Sequence, residues 1–157
     1  MITYLLLYLF LALCVSFVCS LLESTLMSTT LSYITLREEE GYKPASLMKK
    51  YKTETERPLA AILSLNTIAN TVGASGVGMQ ATLIFGETWF GVCSAVMTIL
   101  ILVFSEIFPK TIGTTYWKHL MGLAAHTIRI LIFVMYPIVK LIELISRLFP
   151  EPDEAAV

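Results

Sequence analysis

Apolar residues run almost without interruption from Ile2 to Leu22, from Leu59 to Phe85 and from Trp89 to Val103. The first two are long enough to cross a hydrocarbon core of about 30 Å as a helix, and the third becomes so when it is continued to Ile112. The first apolar pattern persists past Glu23 to Leu36. As one helix that segment would measure roughly 52 Å, so it is expected to tilt or to project from the bilayer. The pattern predicts spans at about 2–36, 59–85 and 89–112. Pro58 is placed to open the second, and Trp89 with Phe90 supplies an aromatic belt at the start of the third.

Between the first two spans, Arg37–Arg57 carries charges of both signs and reads mainly as a solvated connector, with a short helix over Ala45–Lys52 as the alternative. Trp117–Phe149 is apolar but interrupted by His119, His126, Arg129, Lys140, Glu143 and Arg147. Arg129 and Lys140 leave too little chain between them to span, so the segment is expected to lie along the membrane face, kinked near Pro137. A fourth span is the competing reading. The expected architecture is thus all-α and integral to the membrane: three transmembrane helices and an amphipathic cytosolic-side belt helix over about 117–149. One membrane domain accounts for residues 1–150, and 151–157 reads as an acidic tail or linker.

Composition strengthens this picture. Of 157 residues, 56 % are hydrophobic and only 15 % charged, more apolar surface than a soluble domain of this size covers. No Lys or Arg precedes Arg37, six fall between Arg37 and Arg57, none lies between Leu59 and Pro109, and five follow from Lys110. The positive-inside rule then puts the connector and the C-terminal part in the cytoplasm, with the N-terminus and the Gly86-Glu87-Thr88 turn outside, in a plasma or inner membrane. Residues 1–22 lack the basic start and small-x-small site of a cleaved signal. Leu11-Ala12-Leu13-Cys14 is only a faint lipid-anchor signal. Cys14, Cys19 and Cys93 have no metal-type spacing and read as reduced packing residues. No basic, aromatic-interleaved patch points to nucleic acid, and no histidine is placed in a span to activate a serine, so an enzyme is not expected.

Polar groups inside the runs carry the chemistry. Ser16, Ser20, Ser24 and Ser28 recur every four residues beside Glu23. Asn66 and Asn70 share a face of the second run, with Ala69, Gly73, Gly76 and Gly78 nearby for close helix approach. Ser105 and Glu106 end the third, where Pro109 interrupts the hydrogen-bond ladder and frees carbonyls. An uncompensated carboxylate in a span costs about 2.5–3.5 kcal/mol. With no base expected inside the spans, the acids are either protonated or paired with a cation from solution. The ligands are all oxygen, which favours a hard ion: magnesium, sodium or calcium. Two further readings are a scaffold in which Asn and Ser only join helices, and proton relay through Glu23 and Glu106.

Ser20-Leu21-Leu22-Glu23-Ser24, Asn66-Thr67-Ile68-Ala69-Asn70 and Ser105-Glu106-Ile107-Phe108-Pro109-Lys110 resemble three signatures of the CNNM/CorC membrane domain. Ser105 departs from the glycine usual at its position, which puts the tight packing there in question. The resemblance implies a homodimer in the lipid bilayer and export of magnesium ion (Mg2+), with sodium (Na+) entry as a coupled flow. It also implies an ion held by Ser20, Asn66, Asn70, Ser105 and Glu106, with Glu23 in the same acidic cavity; Ser24 completes the candidate set read from the residues. CBS nucleotide-binding and C-terminal modules, usual in the family, are not in this sequence.

Overall fold

The structure, a computed structural model, describes residues 2–148, all of its regular elements helical. The expected tail over 151–157 lies outside the described residues. The helices are α1 (Ile2–Ser28), α2 (Leu31–Glu39), α3 (Lys43–Thr53), α4 (Glu56–Phe85), α5 (Phe90–Ile101), α6 (Phe108–Val134) and α7 (Tyr136–Arg147). A 3₁₀ turn, Glu87–Trp89, leads into α5, and a π-helical turn, Leu102–Ile107, joins α5 to α6.

Among the described residues two helical stretches are long and apolar enough to cross a membrane: Ile2–Ser28 and Glu87–Val134. Only 11 % of the most apolar window in the second is buried, so its side chains are not the core of a water-soluble bundle. Helix α4 has the length, 30 residues, but interleaves Asn66, Thr67, Asn70, Thr71 and Ser75 with its apolar positions.

Helix α1 is the centre of the arrangement and packs along both α4 and α6. Ser16 meets Asn66, and a side chain at Gly73 would collide with Ala12, so α1 and α4 run antiparallel. Ser105 meets Leu13 while Ser24 meets Lys110, so α1 and α6 run parallel. The main core lies at one end, where Cys19, Leu22 and Leu26 pack with Ile34, Met48, Ile62, Met121 and Ile128. A smaller cluster, Ala12, Val77 and Met97, closes the other end.

Three expectations need correction. The first helix does not continue to Leu36. It stops at Ser28, and Thr30 caps a new helix by accepting the Tyr33 N–H at 3.2 Å. Threonine at that position competes with the helical ladder and resets the chain direction. The connector is not a solvated loop either. Its α3 buries Ala45, Met48 and Tyr51 against α6, an i, i+3, i+6 stripe too short to stand out amid the four lysines of the same helix.

The third correction concerns the C-terminal segment. Helix α6 runs through the supposed boundary near residue 112 and only bends at Tyr116 (φ −111°, ψ 23°). The break comes at Met135, before Pro137, close to where the proline predicted it. Lys118 and Trp117 meet Tyr33 at that bend, the two rings edge-on at 5.1 Å. Helix α2 is thereby held against α6.

Candidate functional site

Serine at every fourth position advances about 40° around a helix of 3.6 residues per turn. That slow drift distributes the α1 serines between two neighbours. The Ser16 hydroxyl donates to Asn66 Oδ1 of α4 at 2.6 Å. The Ser24 hydroxyl donates to the Lys110 carbonyl of α6 at 2.7 Å and lies 3.0 Å from Thr114 Oγ1. Ser20 lies on α1 one turn from each. It is fully buried, and its oxygen has no hydrogen-bond partner among the described residues.

The asparagine pair is similarly divided. Asn66 Oδ1 accepts from Ser16 and, at 3.5 Å, from Asn70 Nδ2. Asn70 Oδ1 is buried with no donor against it. The Ser16–Asn66 and Ala12–Gly73 contacts place Asn70 level with Leu13 and Cys14. At that same level the buried Ser105 hydroxyl donates to the Leu13 carbonyl at 3.3 Å. The serine in place of glycine is therefore accommodated, and it ties the π-helical turn to α1.

The π-helical turn has a local cause. Phe108 donates its N–H to Val103, five residues back. Pro109 then has no N–H for either Phe104, its π-register acceptor, or Ser105, its α-register acceptor. A carbonyl at the level of the candidate site consequently loses its helical donor. Glu106 lies in this turn and is half-buried.

Lys110 corrects the expectation that no base reaches the acids. Its ammonium lies 3.3 Å from Glu106 Oε2 rather than turning toward headgroups. Because the helix continues past Pro109, residue i+4 folds over residue i, and glutamate preceding lysine is the favourable order. Glu23 is half-buried and forms no hydrogen bond or ion pair among the described residues. No group of three His, Cys, Asp or Glu side chains is gathered among the described residues, so a carboxylate cage is absent there. Ser16 is the residue that the signatures alone do not assign; its place in the four-residue serine stripe is the available signal.

The candidate set is thus spread over α1, α4 and the π-helical turn: Asn66, Asn70 and Ser105 lie near one level of α1, Glu106 follows Ser105, Ser20 stands roughly 9 Å along α1 from Asn70, and Ser24 is committed to α6. Its unsatisfied atoms are all oxygen. Leaving such groups buried and unpaired costs about 1–3 kcal/mol each, and a small hard cation would satisfy them. A separate cavity of about 630 Å³ lies among Lys50, Tyr51, Glu54, Arg57, Pro58 and Glu143, remote in sequence from these residues. There Arg57 holds Glu143 through two hydrogen bonds, of 2.7 and 3.2 Å. The guanidinium lowers the Glu143 carboxyl below its ordinary range and is itself raised.

The Cyclin M transmembrane N-terminal domain profile matches residues 6–154, nearly the whole chain. This chain belongs to the cyclin M family. A UPF0053 protein of Synechocystis is 34 % identical over 154 residues, covering 94 % of this chain and 44 % of that protein. The UPF0053 inner membrane protein YfjD of Escherichia coli is 24 % identical, over 70 % of this chain and 26 % of its own length. A chloroplastic DUF21 domain-containing protein of Arabidopsis thaliana is 27 % identical over 75 % of this chain and 18 % of its own. The cyclin M chain described here therefore spans less than half the length of each of these relatives. Kinship with a protein named for the inner membrane agrees with its two apolar, bilayer-length helical stretches.

Proposed function

We propose that this cyclin M domain carries magnesium ion across an inner or plasma membrane. In this reading α1, α4 and the α5–α6 helix are three spans. The connector and C-terminal part face the cytoplasm, with the end of α6 and α7 as the belt along that face. Two copies form the working unit in the bilayer, and export runs against sodium entry. The observation that supports the reading is the pair of buried, unpartnered oxygens, Ser20 Oγ and Asn70 Oδ1, on the packed helices α1 and α4.

Magnesium suits this donor set because it takes oxygen ligands and retains several waters, so hydroxyl, amide, one carboxylate and a freed carbonyl suffice. Glu106 supplies the charge and Ser20 and Asn70 neutral oxygens. Asn66 orients Asn70 through the 3.5 Å amide contact. A single carboxylate neutralises only half of a divalent charge, which favours entry without making the ion too tightly held to leave.

Thermal unfolding of the detergent-purified chain, titrated with magnesium, tests the assignment. A bound ion at ten times its Kd stabilises by about 1.4 kcal/mol. Glu106→Gln and Asn70→Ala should each abolish that stabilisation; persistence in both would refute the site. Magnesium flux into proteoliposomes, with and without a sodium gradient, then reads transport and coupling.

A second reading, a membrane scaffold without transport, draws on the hydrogen bonds that Ser16–Asn66 and Ser105–Leu13 make between helices. It predicts that the same substitutions weaken folding equally at every magnesium concentration.

A further inference from the structure

Lys110 is anchored at its backbone and free at its tip. Its carbonyl accepts the Ser24 and Thr114 hydroxyls, each at 2.7 Å. Among the described residues its ammonium pairs with Glu106 alone, at 3.3 Å, with the lysine side chain 47 % and the glutamate side chain 29 % exposed. A four-carbon stem can move that charge several ångströms toward the membrane surface while the helix stays fixed. Glu106, the carboxylate of the proposed magnesium site, thus already engages a protein cation. An ammonium and a divalent ion in contact with one carboxylate repel each other strongly in a partly desolvated setting.

We propose, resting on the magnesium reading above, that Lys110 is a tethered competitor for Glu106. Its ammonium occupies the carboxylate while the site is empty, gives way when the ion enters, and reclaims the carboxylate as the ion leaves. Lys110 thereby weakens equilibrium binding and hastens release. The empty site never presents a bare, half-buried acid, and the loaded site is never locked.

The test compares wild type, Lys110→Gln, Lys110→Arg and Glu106→Gln, reading the magnesium concentration that gives half the maximal thermal shift. Lys110→Gln should lower it about tenfold, within the range of ordinary site coupling, and Lys110→Arg should return it toward wild type. An equal or higher requirement in Lys110→Gln, with Glu106→Gln still abolishing the response, overturns the competitor role and leaves the magnesium site standing. No response in wild type overturns both. A measurement without any substitution at Lys110 guards against misfolding: acylation of its amine in the intact chain, read by mass spectrometry. Magnesium should raise Lys110 labelling while Lys118 stays constant, and Glu106→Gln should show the raised level without magnesium. Unchanged or reduced Lys110 labelling on adding magnesium overturns the proposal.

Discussion

The Lys52 ammonium lies 3.1 Å from the Leu26 carbonyl and 3.0 Å from that of Met27, at the end of the helix that carries Ser20 and Glu23. The last carbonyls of α1 have no donor within the helix, and a cation there also meets the negative end of the helix dipole. Helix α3 of the connector therefore holds the same helix that presents the candidate ligands. Lys52→Met should cost about 1.5–3 kcal/mol, the scale of hydrogen bonds to a charged group, and Lys52→Arg should recover part of it. Thermal unfolding in detergent checks both.

Ser20 and Asn66 make opposite predictions although both belong to the candidate site. Ser20 Oγ has no partner, so Ser20→Ala should leave magnesium-free stability unchanged or slightly higher. It should nevertheless diminish the stabilisation that magnesium gives. Asn66→Ala strips the acceptor from the Ser16 hydroxyl and should cost about 1–3 kcal/mol even without the ion. Parallel magnesium titrations of the two variants decide between ion binding and helix joining.

Gly73 packs directly against Ala12 of α1. A methyl group there would overlap the side chain of Ala12. Gly73→Ala should destabilise by about 1–3 kcal/mol as the helices are forced apart, despite alanine's better helix propensity. Ala12→Gly in the same chain should restore part of the loss, which a double-mutant cycle in thermal unfolding would reveal.

Acid should loosen the joint between α4 and α7. The Glu143 carboxyl is held below its usual value by the Arg57 hydrogen bonds, so its stabilising contribution is complete above the ordinary carboxylate pKa of about 4.5. That contribution declines as pH falls through the lowered folded value. The pair is partly exposed, so the loss should not exceed about 1 kcal/mol. Glu143→Gln should remove this share of the stability difference between pH 7 and pH 3, measured by thermal unfolding.

Much of the chain was legible without coordinates because its strongest signals are local. The apolar runs delimit α1, α4 and the α5–α6 stretch to within a few residues at most ends. Pro109 announced a disturbed ladder, and the disturbance is the π-helical turn just before it. Pro137 likewise marked the break at Met135. The stop at Ser28 was harder to see, since Thr29 and Thr30 sit inside an otherwise apolar pattern and threonine is tolerated within helices. Helix α3 matches the short helix over Ala45–Lys52 that ranked second to a loop, because three buried positions in eleven residues give little periodicity against so many charges.

By itself the amino-acid sequence determined a helical membrane chain of the cyclin M family and the residue types its site contains, since hydrophobic length, proline and short polar signatures act over a few turns. Only the tertiary structure decided which polar group meets which. It gave Ser16 to Asn66 and Ser24 to Lys110, left Ser20 and Asn70 with bare oxygens, and turned Lys110 back onto Glu106. Those outcomes depend on the relative rotation and register of helices far apart in sequence, where a shift of one residue turns a side chain by 100°.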